Sequence, residues 1–462
     1  MTEDISKQLV EFTYKTKYED LPEDVIKYAK YLLLKTVSGI LAGSIKPSGK
    51  KMADLIKAKK LPAESCVIGR DFRTSLWESV FLNSFFSHAS ELEDDRVDEK
   101  GGISWDIALI PLLLPLAERW GISGKKLLEA LAVGLEVHVR TCQFNPGHLA
   151  QTVVPGAIGP AAGAAKAMGL SHEQLANAMG LAMSAPPLWL GSYATDAHFF
   201  ESSLSCMQGM MAAEMAQVGL TGNADMATCL MQFLGADRVD PEKLVEDLGK
   251  RWMFTEICIK KYPVCFTMHR QIDMVIGLKK RLNLDFEDVE SIEVHAQRSR
   301  EEICNRPDPR NEGEIQFSFQ HNLALAMLYG DIPMVHISPE AVDDPKLKEA
   351  RKKVAFVPAY AATSTAAPIA AYYAPTVTGS PMQDPAQVVV KMKDGRVLKE
   401  SRQVPIGHPK DPLKPEQIQA LCDKFTRGIS IRGNMARISE IVMNLEKEKN
   451  VSELMNSLQG ND

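Results

Sequence analysis

The stretch GAIGPAAGAAKAMGLSHEQLANAMGLAMSA, residues 156–185, is dominated by glycine and alanine. Small side chains let helix backbones approach closely, so this stretch is expected at the centre of a helical bundle. Working outward, CMQGMMAAEMAQVGLTG (206–222) has the same character and ends on a glycine. VIKYAKYLLLKTVSGILAG (25–43) sets apolar residues at three- and four-residue steps and stops at Gly43. SGKKLLEALAVGLEVHVRTC (123–142) opens with Ser123 as an N-cap and stays apolar on one face. The chain up to Tyr262-Pro263 thus reads as helix after helix. Beyond that point the texture changes. VESIEVHAQ (289–297) alternates like a strand, and VAFVPAY (354–360) is short and β-leaning. AQVVVKMKDGRVLKESRQV (386–404) reads as a hairpin around Asp394-Gly395. Helical segments such as HNLALAMLYG lie between, and amphipathic helix returns near the C-terminus. The fold class expected is mainly α. A large all-α domain (1–265) is interrupted by a smaller α+β domain (266–404), and the last segment (405–462) packs back on the first.

At 462 residues the chain exceeds one ordinary core, which fits two domains. Hydrophobic content of 45% and charged content of 24% give a normal soluble balance. A net charge of −6 gives no reason to expect nucleic acid or an anionic membrane as partner. No stretch supplies the roughly 18 uncharged apolar residues of a spanning helix, and the N-terminus does not read as a signal peptide. The eight cysteines are scattered with no C-x-x-C pair, which argues against disulfides or zinc and suits a reducing cytoplasm. P-loop, H-E-x-x-H and G-x-S-x-G motifs are missing.

Five segments carry candidate chemistry. SHASELEDDRVDEKGG (87–102) holds six carboxylates, with His88 one turn before Glu91. It reads either as a solvated turn or as a loop that brings acids to a site. Carboxylates beside a buried face can act as general bases. In IKKYPVCFTMHRQIDMVIGL (259–278), Lys260, Lys261, His269 and Arg270 cluster at a helix start, where cations oppose the dipole. Such a cluster suits a substrate carboxylate, or is a basic surface turn. Asp196 and His198 lie between two apolar helices, His321 starts an apolar helix, and His148 sits in a Pro/Gly-rich loop. Each histidine is equally readable as a packing, capping or surface group. Together they describe a cleft with acids, imidazoles and lysines, without metal-ligand spacing.

LNSFFSHASELEDD, IPLLLPLAERWGISGKKLLEALAVGLEVHVR, KKYPVCFTMHRQID, IQFSFQHNLALAMLYGDI and VVVKMKDGRVLKE resemble, in order and spacing, the corresponding segments of the MmgE/PrpD family. The resemblance covers nearly the whole chain. It implies an all-α domain with an inserted α+β lid, a homodimer, and an active site between the domains with no metal or organic cofactor. It also implies lyase or epimerase chemistry on small di- and tricarboxylates, by proton transfer next to a carboxylate or by loss of CO2. Several positions depart from the family pattern. Ser104-Trp105 stands where a His-Pro pair is usual, and Ala150-Gln151 where a second is usual, with His148 nearby. His198 replaces a lysine and His321 a tyrosine, whereas Lys260 matches.

The expectation is therefore a cofactor-independent dehydratase- or decarboxylase-type lyase. His198 and His321 are its acid/base pair, Asp94 or Asp95 orients an imidazole or acts as base, and Lys260 and Lys261 grip the substrate carboxylate. Ser104, His148 and His269 complete the binding set. The outer acids Asp98 and Glu99 are expected in solvent with Arg96 and Lys100. An epimerase acting on a small carboxylate, and a catalytically silent scaffold, are the alternatives.

Overall fold

A computed structural model describes residues 2–97, 102–104, 106–143, 156–184, 193–236, 239–360 and 385–461. The architecture is mainly helical with small sheets. Helix Glu23–Ser44 packs along helix Leu76–Ala89 so closely that a Cβ on Gly43 would fall 1.7 Å from the Phe86 carbonyl oxygen. Helix Ile158–Met168, from the small-residue stretch, lies against helix Gly124–Cys142. There a Cβ on Gly159 would come within 2.3 Å of the His138 Cβ. The alanines and glycines of that stretch are buried because neighbouring backbones occupy the space side chains would need. Ser123 caps helix Gly124–Cys142 by accepting from the Lys126 N–H.

Strand Val289–Gln297 pairs parallel with Val354–Tyr360 and antiparallel with Ala386–Met392, which continues through the Asp394-Gly395 turn into Val397–Arg402. Gly395 takes the positive φ of 89° that the turn demands. Helices His269–Leu282 and Phe319–Tyr329 belong to the same apolar cluster as this sheet.

Buried apolar side chains gather into two main cores. One runs from Ile5 to Ile259 and takes in Ile418–Leu458 from the C-terminal helices; the other runs from Tyr262 to Met392 and includes Ala194. Several links join them. Lys46 pairs with Glu312 at 2.5 Å and the Gln316 amide donates to the Ala89 carbonyl at 3.2 Å, while within the first unit Asp95 and Cys258 exchange backbone hydrogen bonds of 3.2 and 2.7 Å. These links surround the chain reversals at residues 88–95 and 258–265, where the polar groups of the candidate site are buried. Among the described residues no helix is long and apolar enough to cross a membrane.

Candidate active site

Two helix ends build the site. Ser75 caps helix Leu76–Ala89, and its last turn carries His88 inward. The chain leaves that helix through Glu91 at φ 54°. A non-glycine residue in the left-handed region is strained, by about 1–3 kcal/mol, and persists only where surrounding structure holds it. Ala194, at φ 66°, makes a similar turn just before helix Asp196–Gln217. The first turn of that helix presents His198 to Glu91.

The buried groups meet at short range. His198 Nδ1 lies 3.2 Å from a Glu201 carboxylate oxygen, and its Nε2 lies 3.7 Å from Glu91 Oε2. Lys260 donates to Glu93 Oε1 at 2.6 Å and to Glu91 Oε1 at 3.3 Å. The His88 ring centroid is 4.2 Å from that of His198; Tyr193 and Phe317 flank the same imidazole at 5.2 and 5.4 Å. Beneath the cluster, Asp94 accepts from the Lys260 backbone N–H at 2.8 Å and from Lys35 at 3.5 Å. Its own N–H donates to Asp106 at 2.9 Å, and Thr36 donates to the other Asp106 oxygen at 2.6 Å.

Burial and charge set the protonation states. Burial opposes charge on His198, but Glu201, Glu91 and Glu93 outweigh it and raise the imidazolium to about 9. Burial pushes Glu91 well above the usual carboxylate range, with help from Glu93 and against Lys260 and His198. Burial opposes the charge on Lys260, yet Glu91, Glu93 and Asp95 more than reverse this and keep it an ammonium. His88 is held neutral, first by burial and then by the charges of His198 and Lys260. Arg300 is buried near Cys265, Cys304 and Tyr193, adding a second cation at this boundary.

The structure redistributes the residues expected from sequence. His198 and Lys260 come together through Glu91. His321 does not join them: its Nε2 bonds the His336 carbonyl at 3.0 Å and its Nδ1 faces Arg351 at 3.3 Å. Burial lowers it to about 4, so it is a neutral packing group with both nitrogens engaged. Asp94 and Asp95 do not meet an imidazole in the described contacts. Asp94 clamps the Lys260 backbone, Asp95 pairs with the backbone of Cys258, and Glu91 takes the position facing His198. The acids at Lys260 are the protein's own Glu91 and Glu93, while Lys261 is paired with Asp273 at 3.2 Å. His269 is buried, bonds the Val264 carbonyl at 3.1 Å and stacks on Phe266. Arg96 binds Glu256 at 3.0 Å instead of lying in solvent. Ser104 sits opposite Asp95 in a short two-stranded ladder. His148, Asp98, Glu99 and Lys100 lie outside the described residues.

Sequence reading counted Glu91 and Glu93 among six loop carboxylates without giving either a catalytic role, and it passed over Glu201 and Arg300. The one local signal was the helical spacing of His88 and Glu91. Glu201 stands at the same spacing from His198 and carried the same signal.

A carboxylate on a strained backbone, an imidazole with a second carboxylate behind it, and a buried lysine are groups able to move a proton, and the relatives given below make the protein an enzyme. The chain belongs to the MmgE/PrpD family: residues 7–234 match the model of the MmgE/PrpD N-terminal domain and residues 262–447 that of the MmgE/PrpD C-terminal domain. Among its relatives is cis-aconitate decarboxylase of Mus musculus, 24% identical, covering 100% of this chain and 94% of the relative. The Homo sapiens enzyme of the same name is 24% identical, with 100% and 95% covered, and that of Aspergillus terreus 22%, with 95% and 93% covered.

Proposed function

We propose that this protein is a cofactor-independent lyase of the decarboxylase or dehydratase type acting on a small tricarboxylate. The observation that carries the reading is His198 Nε2 aimed at the strained Glu91, with Glu201 behind Nδ1. Decarboxylases related over the full chain support the substrate class.

In this reading Lys260 reaches the substrate by exchange. When Glu91 takes up a proton, its hold on the ammonium weakens, and a substrate carboxylate replaces it beside Lys260 with Arg300 nearby. As the carbon–carbon bond to a second carboxylate breaks and CO2 leaves, the electron pair stays on the carbon. His198 then delivers a proton there, and Glu201 steadies the imidazole throughout. Epimerisation needs proton-transfer groups on opposite faces of one carbon. With His321 engaged elsewhere, the described residues offer one such cluster, which favours the lyase. The unit of residues 266–404 acts as a lid on the helical unit, with 405–462 returning to the latter. The chain works as a homodimer in the cytoplasm, a compartment that suits its eight free cysteines.

The test is incubation of the purified protein with cis-aconitate and a panel of di- and tricarboxylates, following CO2 and products by NMR. Release of CO2 or water from a tricarboxylate is expected. No turnover and no thermal shift with any acid would leave a silent scaffold.

A further inference from the structure

We propose that His88, Glu91 and His198 form a binding site for one divalent transition-metal ion, and that an ion bound there switches off proton transfer by His198. One donor atom of each side chain lies within 4.8 Å of the other two, and all three residues are buried. Two imidazoles and a carboxylate are a donor set for zinc and its first-row neighbours. Metal–ligand distances of about 2.0–2.2 Å place tetrahedral ligands roughly 3.3 Å apart. His198 Nε2 and Glu91 Oε2 already stand at 3.7 Å.

Three observations point to a missing ligand. Glu91 Oε2 is buried with no hydrogen-bond partner, since Lys260 takes the other oxygen. His88 Nδ1 is likewise buried without one. Glu201 sits behind His198 Nδ1 at 3.2 Å, the carboxylate–histidine arrangement that leaves Nε2 as the donor toward a metal. The carboxyls of Glu93 and Glu201 also stand beside the donor set, Glu201 against His198 and Glu93 against the lysine that holds Glu91. A metal on Nε2 and the proton that His198 must deliver exclude one another, so occupancy and turnover are alternatives.

The experiment titrates zinc into the metal-stripped full-length protein by calorimetry, with cobalt absorption as a spectroscopic signature of the site. One tight equivalent is expected in the wild type, lost in His198→Lys and weakened about 10–100-fold in Glu201→Gln, which touches no metal. Circular dichroism establishes that each variant folds; should His198→Lys not fold, His88→Gln takes its place. The zinc-dependent rise in melting temperature should disappear in the same variants. Equal zinc affinity in wild type and folded variants, or none in the wild type, overturns the proposal without touching the lyase reading, which the tricarboxylate panel tests separately.

Discussion

Glu91 holds a backbone conformation that only its surroundings can maintain, and that conformation turns its carboxylate between His198 and Lys260. Glu91→Gln keeps the shape and removes the titrating group. Steady-state assays should show kcat lower by about a hundredfold or more, within the range of a positioned acid or base. The pH dependence follows from His198. Its folded-state value is raised to about 9, so the acid is present at neutrality and is lost as pH rises through that value. The stability it contributes is complete below its unfolded value of about 6.5 and fades between there and about 9. Glu201→Gln should move the alkaline limb of the pH–rate profile to lower pH; an unmoved limb would remove His198 as the acid. Lys260 is a double case. Lys260→Met strands Glu91 and Glu93 in a buried place, at a cost of about 3–5 kcal/mol in a denaturant titration, and its activity must be read beside that loss. Sequence named His198 as a histidine between two apolar helices and Lys260 as one of a cluster of cations at a helix start. Of six acids in one run it chose Asp94 or Asp95 for the imidazole where the structure sets Glu91, since which of them turns inward depends on a φ angle and on contacts with distant segments.

Helix and hairpin signals are local, and these elements were legible. Ser123 caps where expected, and the alternating run 386–404 folds around Asp394-Gly395. The small-residue stretch read as close packing because glycine leaves room only for a neighbouring backbone. Gly159→Ala puts a Cβ 2.3 Å from the His138 Cβ and 2.7 Å from its Cα, so the helices must part. Overpacking of this kind costs about 1–3 kcal/mol, which thermal or urea unfolding should register; unchanged stability would show that the two helices slide freely. His321 marks the limit of element-scale reading. A histidine at a helix start looks catalytic until the His336 carbonyl and Arg351, both from later in the chain, are seen to occupy its nitrogens.

At the scale of the molecule, the site lies where two cores meet, and no short stretch of sequence contains it. The helix that carries His198 also exposes Phe200 and Met211 on its outer side, with Phe81 packed against Phe200 at 5.9 Å. In the proposed homodimer the second copy covers this apolar strip. Light scattering should find a dimer in the wild type and a monomer in Phe200→Glu/Met211→Glu; a dimer in both would place the interface elsewhere. The central claim remains that His198 delivers the proton that replaces a departing group on a carboxylate substrate. NMR of cis-aconitate turnover in D2O, with wild type and His198→Ala side by side, addresses it most directly. Wild-type product is expected to carry one carbon-bound deuterium from solvent, and the variant to form it at least a hundredfold more slowly. Equal rates in the two proteins would contradict it.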